Sequence, residues 1–370
     1  MAETRVEIKK QMINWAFGLT DLSEEKLEKV IEKNRWLQKD FDYYLNPTVN
    51  QLSSFASQLH VPFGNLLLDT PPELKSIRLA FRTQNNAPAS VSLNVRETIY
   101  EMQRKQSWFK NESGYAIKHL EFVGIARKSD VSKNIKILNN LITWKHYPSP
   151  RELYNDLRDQ IARLGVLVMQ KGGVGLGTNR PIDVKELRAF VMLDEYAPLI
   201  FVNQKDSYTA RVFSLIHEFI HILRGSDELL NGIEKDVKEE RIINIISASF
   251  LMPKTIFIEK FNLENLYKTA KYFNVSPEAA AIRAYNLKLI TSVEDVEFAS
   301  ENKFLSKKRA GGGDPYKNAL SLNDRRYMSA IVSAQDTGKI LPTQAASLIG
   351  ISLKMLDKTV QTYNEREATK

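Results

Sequence analysis

Between Val212 and Leu223 the apolar residues Val212, Phe213, Leu215, Ile216, Phe219, Ile220, Ile222 and Leu223 leave almost no polar helix face. Such a pattern predicts a helix buried on most sides. Ser207 or Thr209 can cap its start and Gly225 can end it. Three short apolar runs come first, over residues 165–169, 190–193 and 199–202, and read as strands; a tight turn with Asp194, Tyr196 and Pro198 joins the last two. An amphipathic helix over 153–164 precedes them. A second buried helix is expected over 237–250, ending before Pro253, then helical structure over 262–287 in which Val275-Ser276-Pro277-Glu278 starts a new helix.

Elsewhere the pattern is helical. Residues 1–70 read as short helices, an all-α section. Val6, Met12, Ile13 and Ala16 share one face, Ser23 caps the next helix, and Thr48 caps one carrying Leu52, Phe55, Ala56 and Leu59. A short helix over 61–68 and the pair Pro71-Pro72 close that section. Residues 71–150 read as a helical connecting region, with a loop over 85–90 and a long helix over 95–109 capped by Asn94. Lys307-Lys308-Arg309-Ala310-Gly311-Gly312-Gly313 reads as a flexible linker within 293–314. The last segment, 315–370, is helical and is expected to pack Tyr327, Ile331, Val332, Leu341, Ala345, Leu348 and Ile349. The whole is mostly α, with one small α+β domain over 151–292.

Composition removes several chemistries. With 43% hydrophobic and 26% charged residues the chain is ordinary globular protein, and the absence of cysteine excludes disulfides, thiol nucleophiles and Cys-based zinc fingers. No apolar run reaches the roughly 18 residues a membrane span needs. Met1-Ala2-Glu3-Thr4-Arg5 lacks the apolar core of a signal peptide, so the expectation is a cytoplasmic protein with no membrane contact. The net charge of +8 suits either solubility or a polyanionic partner.

The dense apolar helix contains His217-Glu218-Phe219-Ile220-His221. Residues four apart lie about 40° apart around a helix, so both imidazoles can reach one metal ion, while Glu218 lies about 100° from His217 and about 60° from His221. This HExxH spacing suits zinc hydrolysis: two neutral nitrogens hold the ion and a carboxylate takes a proton from water. Polar groups in so apolar an element are costly without such a reason. Of five histidines, the other three, His60, His119 and His146, have no partner at ligand spacing and read as structural or surface residues.

A third donor must come from elsewhere, and Asp227, Glu228, Glu234, Asp236, Glu239 and Glu240 are the candidates. Glu240 is favoured because Asn244 then stands one turn further, where it can hydrogen-bond a ligand histidine. Glu239 is the runner-up, and otherwise a solvated charge. Gly172-Gly173-Val174-Gly175-Leu176-Gly177 lacks the lysine of a phosphate-binding loop and reads as a hairpin or cleft-edge loop.

Phe213 to His221, followed by Glu240-x-x-x-Asn244 and Ala248-Ser249-Phe250-Leu251-Met252-Pro253, resembles the ImmA/IrrE family of metallo-endopeptidases over roughly residues 150–290. Residues 1–70 resemble the Xre-type helix-turn-helix domain of the family's long members, and the segment from Gly311 resembles their tail. Ile220 departs from the family, which often has a small residue before the second histidine; a narrower pocket is expected. The resemblance implies a zincin-like domain with His217, His221 and Glu240 as ligands, and Glu218 as general base and acid. Zinc is the expected ion and manganese the alternative. It also implies cleavage of an Xre-type, repressor-like DNA-binding protein, controlling transcription in a stress-response, mobile-element or toxin–antitoxin setting. Xre-type domains read DNA with their third helix. Here it is expected over 34–44 with Arg35, Gln38 and Lys39, while Lys29 and Lys33 meet phosphates and Asp40 and Asp42 oppose that use. The second reading is a DNA-binding regulator or antitoxin whose protease-like domain senses or binds a partner.

Overall fold

A computed structural model describes residues 4–18, 24–38, 44–59, 61, 63–72, 92–127, 129–175, 180–226, 237–293 and 313–369. The chain forms two units, Met1–Ile77 with Thr83–Glu97, and Arg78–Arg82 with Thr98–Lys370. Ser23, His60, the 85–90 loop and residues 294–312 of the expected linker lie outside the described residues.

In the smaller unit the order is β1 (Ile8–Lys9), α1 (Lys10–Gly18), α2 (Glu24–Lys33), a 3-10 turn (Arg35–Gln38), β2 (Tyr44–Leu45), α3 (Val49–Leu59) and a second 3-10 turn (Phe63–Leu67). Met12, Ile13, Ala16, Leu52, Phe55, Ala56 and Leu59 form the core, as the helical spacing requires. Thr48 and Gln51 make a reciprocal capping box: Gln51 N–H donates to Thr48 Oγ1 at 3.2 Å and Thr48 N–H to Gln51 Oε1 at 2.8 Å.

Two expectations are corrected here. The section is not all-α: β1 and β2 pair antiparallel, Ile8 with Leu45 and Lys9 with Tyr44. Proline disfavours helix in the residue before it, and around Pro47 the extended chain lies beside the N-terminal residues, with Val6 N–H on Pro47 O and Val49 N–H on Thr4 O, both at 3.0 Å. Nor do the described residues of 34–44 form the expected recognition helix. Among the described residues of that stretch, helical geometry covers Arg35–Gln38, in the 3-10 form, and Tyr44 belongs to a strand. Buried Asn34 and Trp36 draw this segment inward. Asn34 Nδ2 donates to Val30 O at 2.8 Å and Gln58 Oε1 at 3.2 Å, Trp36 Nε1 donates to Asn34 Oδ1 at 3.2 Å, and the indole packs edge-on to Phe55. Arg35 is exposed, and Lys29 is ion-paired with Glu25 at 2.5 Å. Lys39, Asp40, Asp42 and the side chain of Gln38 lie outside the described residues.

The chain enters the larger unit within α4 (Leu93–Ser113) and continues through α5 (Val131–Leu141), α6 (Pro150–Arg163), β3 (Leu167–Lys171), β4 (Ala189–Met192), β5 (Leu199–Asn203), α7 (Tyr208–Arg224) and α8 (Val237–Leu251). Then follow α9 (Lys254–Lys260), α10 (Leu266–Phe273), α11 (Pro277–Asn286), α12 (Pro315–Leu322), α13 (Arg325–Asp336), α14 (Pro342–Ile349) and α15 (Leu356–Ala368). The sheet order is β3-β5-β4, with β5 central, parallel to β3 and antiparallel to β4. Every residue of β3 and β5 is buried, which is why their parts Leu167-Val168-Met169 and Leu199-Ile200-Phe201-Val202 read as continuous apolar runs rather than alternating ones. Asp194 shapes the β4–β5 turn: its Oδ1 accepts from Tyr196 N–H and Ala197 N–H, each at 2.9 Å, and its Oδ2 from Lys110. Around Gly172 the chain pairs antiparallel, with Gly173 bridged to Pro181, Val174 N–H on Arg180 O at 2.8 Å and Ile182 N–H on Gly172 O at 3.2 Å.

Packing redraws the expected boundaries. Phe122, Ala126, Leu138 and Ile142, from the supposed connector, share one core with Leu215, Ile216, Phe219 and Ile220 of α7. The C-terminal helices also join this unit, because edge strand β3 needs partners for its outer backbone. Asp324 Oδ2 accepts from Val168 N–H at 3.1 Å, and Arg158 donates to Ser321 O and Asn323 O, both at 2.8 Å. Leu341, expected inside, is 65% exposed; it stands just ahead of Pro342, before the helix that buries Ala345 and Ile349. Among the described residues no single helix is long and apolar enough to cross a membrane.

Candidate metal centre

The site is built at the end of α7. Ser207 fixes the helix start, its Oγ accepting from Ala210 N–H at 3.2 Å. Gly225 ends it at φ 63°, a left-handed conformation that favours glycine. A Cβ at Gly225 would meet Gly124 Cα at 3.1 Å, so two glycine backbones pass in close contact. That approach lets Gly124 N–H donate to Ile222 O at 2.9 Å and Ala126 N–H to Leu223 O at 2.7 Å, adding partners to carbonyls at the helix end.

On this rigid end His217 Nε2 and His221 Nε2 lie 3.1 Å apart. Glu240, in the first turn of α8, brings Oε2 to 3.5 Å from His217 Nε2 and Oε1 to 3.3 Å from His221 Nε2. The three donors lie within 4.8 Å of one another. Ligands about 2.0–2.2 Å from a tetrahedral zinc stand roughly 3.3–3.6 Å apart, so the two nitrogens and the carboxylate fit that ion in type and spacing. Glu218, 7% exposed, follows the first ligand on the same helix. Manganese and zinc share these donor types, but the two imidazoles favour zinc.

Ser226 was not singled out from the sequence, yet its Oγ lies 2.8 Å from His221 Nδ1. With Nδ1–H donating to the hydroxyl, Nε2 carries the lone pair and faces Glu240. A signal for it exists. A left-handed glycine after a helix folds the next residue back over the last turn. Ser226 N–H therefore reaches His221 O at 3.1 Å and Gly225 N–H reaches Ile222 O at 3.1 Å, which sets the serine over the histidine. Asn244, expected in that supporting role, is half-buried and hydrogen-bonds neither histidine among the described residues; Ser226 already occupies Nδ1 of His221.

The runner-up Glu239 is neither donor nor solvated charge: its carboxylate accepts from Arg224 Nε and, at 2.8 Å, from Arg224 Nη2. Asp227, Glu228, Glu234 and Asp236 lie outside the described residues. Two remaining histidines are exposed surface residues, His119 beside Glu121 at 3.2 Å and His146 stacked on Tyr272 with ring centroids 4.2 Å apart.

Residues 163–285 match the family model Peptidase_M78, the IrrE N-terminal-like domain. The match supports the ImmA/IrrE resemblance and a metallopeptidase-type function, and it includes Glu218 and all three donors. No curated protein and no solved structure matches the chain.

Proposed function

We propose that this protein is a zinc-dependent endopeptidase. One observation carries the proposal: two imidazoles and a carboxylate from neighbouring helices converge at tetrahedral spacing, with a further buried carboxylate beside the first imidazole. His217 and His221 would hold the ion through Nε2 and Glu240 through its carboxylate. Zinc bound there supplies Lewis-acid polarisation and makes water more acidic. Glu218 accepts the proton of the attacking water and returns it to the departing amine nitrogen. Ser226 keeps the His221 ring in one orientation, and the dry surroundings of α7 strengthen each of these polar contacts.

The resemblance further supports an Xre-type, repressor-like DNA-binding protein as substrate, whose cleavage would change transcription. Mass spectrometry of candidate repressors incubated with zinc-loaded parent protein and with Glu218→Gln tests both levels. Discrete fragments from the parent and none from the variant are expected. Identical fragments from the two proteins would remove Glu218 from the chemistry. Cleavage of general peptide substrates but of no repressor would remove the substrate assignment and leave the peptidase standing.

A further inference from the structure

Glu240 occupies a precarious place, because the first turn of a helix has no upstream intrahelical acceptors and is where helices fray. A metal ligand has to be held within about 0.5 Å of its working position. The α8 residue just before it, Glu239, is fastened by a two-pronged ion pair with Arg224, which stands three residues after His221 on α7. The third prong, Arg224 Nη1, donates to Ser129 O at 3.0 Å, immediately before Asp130 caps α5 through Lys133 N–H at 2.7 Å. The Arg224 side chain is 4% exposed and that of Glu239 27%. One guanidinium thus ties the end of α7 and the entry to α5 to the start of α8.

From this geometry we infer that Arg224 and Glu239 are positioning residues that orient Glu240 toward His217 and His221. The inference rests on the metal-centre reading above. Successive helical residues point about 100° apart, so seating Glu239 on Arg224 directs Glu240 to another side, where the histidines stand. A guanidinium fork suits the task because it fixes direction as well as distance. Stability alone is a weak reason for such a pair, since apolar residues often replace buried ion pairs without loss.

Zinc affinity, read by competition with a chromophoric chelator well below the melting temperature of the metal-free protein, decides the matter. Glu239→Gln and Arg224→Lys should each weaken zinc binding about 10–100-fold, the usual effect of removing a ligand's support. Because the effect passes through Glu240, adding Glu239→Gln to Glu240→Gln should change affinity less than about 2-fold. Unchanged affinity in both single variants, with only a lower melting temperature, would make the pair merely structural and overturn the inference. Additive losses in the double variant would overturn it too. If the parent itself binds no zinc, the metal-centre reading has failed and the inference falls with it, an outcome distinct from a parent that binds and variants that match it.

Discussion

Asn34 and Ser226 both follow the end of a helix, and the two use their polar atoms in different ways. Asn34 turns its amide on its surroundings, giving hydrogen bonds to Val30 O and Gln58 Oε1 and accepting one from Trp36 Nε1. Its own N–H, 3.1 Å from both Val30 O and Ile31 O, already closes α2, and its side chain is used to hold an indole in the core. Ser226 leaves the closure of α7 to backbone N–H groups and places its hydroxyl against a histidine. Its contact at Nδ1 leaves Nε2 facing the other donors. Backbone N–H groups close both helix ends, which leaves each polar side chain for another task, the core for Asn34 and the histidine for Ser226.

That contrast can be broken from either side, beginning with the strongest effect. Glu218→Gln should lower peptide hydrolysis about 10²–10⁴-fold, the usual contribution of a general base, with zinc content unchanged by elemental analysis. A comparable loss of zinc would mean that Glu218 holds the site rather than acting on water. Asn34→Ala strands buried partners and should cost about 1–3 kcal/mol in the unfolding of the smaller unit, measured in denaturant, with no change in zinc affinity. Ser226→Ala should do the reverse, weakening zinc binding about 10-fold while thermal stability moves little. Equal effects of the last two variants on metal binding would erase the distinction drawn here.

Asp194 gives the smallest and most graded test. Burial opposes its ionisation, but Lys110 and the N–H groups of Ala197 and Tyr196 outweigh that and hold its carboxyl below the ordinary value of 3.8. A depressed carboxylate pKa stabilises the fold above the unfolded value, and that stability fades as pH falls through the folded value. Melting curves should therefore show Asp194→Asn less stable than the parent near neutral pH, with the gap closing below about pH 4. A gap independent of pH would locate the role of Asp194 in shape rather than charge.

Much of this was readable because it is local. Ser207, Gly225 and the apolar density between them define α7, and a four-residue spacing sets His217 over His221 through contacts inside one turn. Glu240 could be favoured as third donor because it opens a recognisable helix. The strands were visible as apolar runs between turn residues.

Distant pairing was beyond that reading. The β1–β2 ladder joins Ile8 to Leu45, Asp324 seals β3 by reaching Val168, and Arg224 meets Glu239 only when two helices pack. Trp36 likewise belongs to a short buried turn rather than a surface helix, because Phe55 lies beside it. Periodicity and capping act within about four residues and can be read along the chain. A charge or an edge strand, by contrast, is satisfied by whatever packing brings near, so folding alone chose Arg224 and Glu239 as the support of the site.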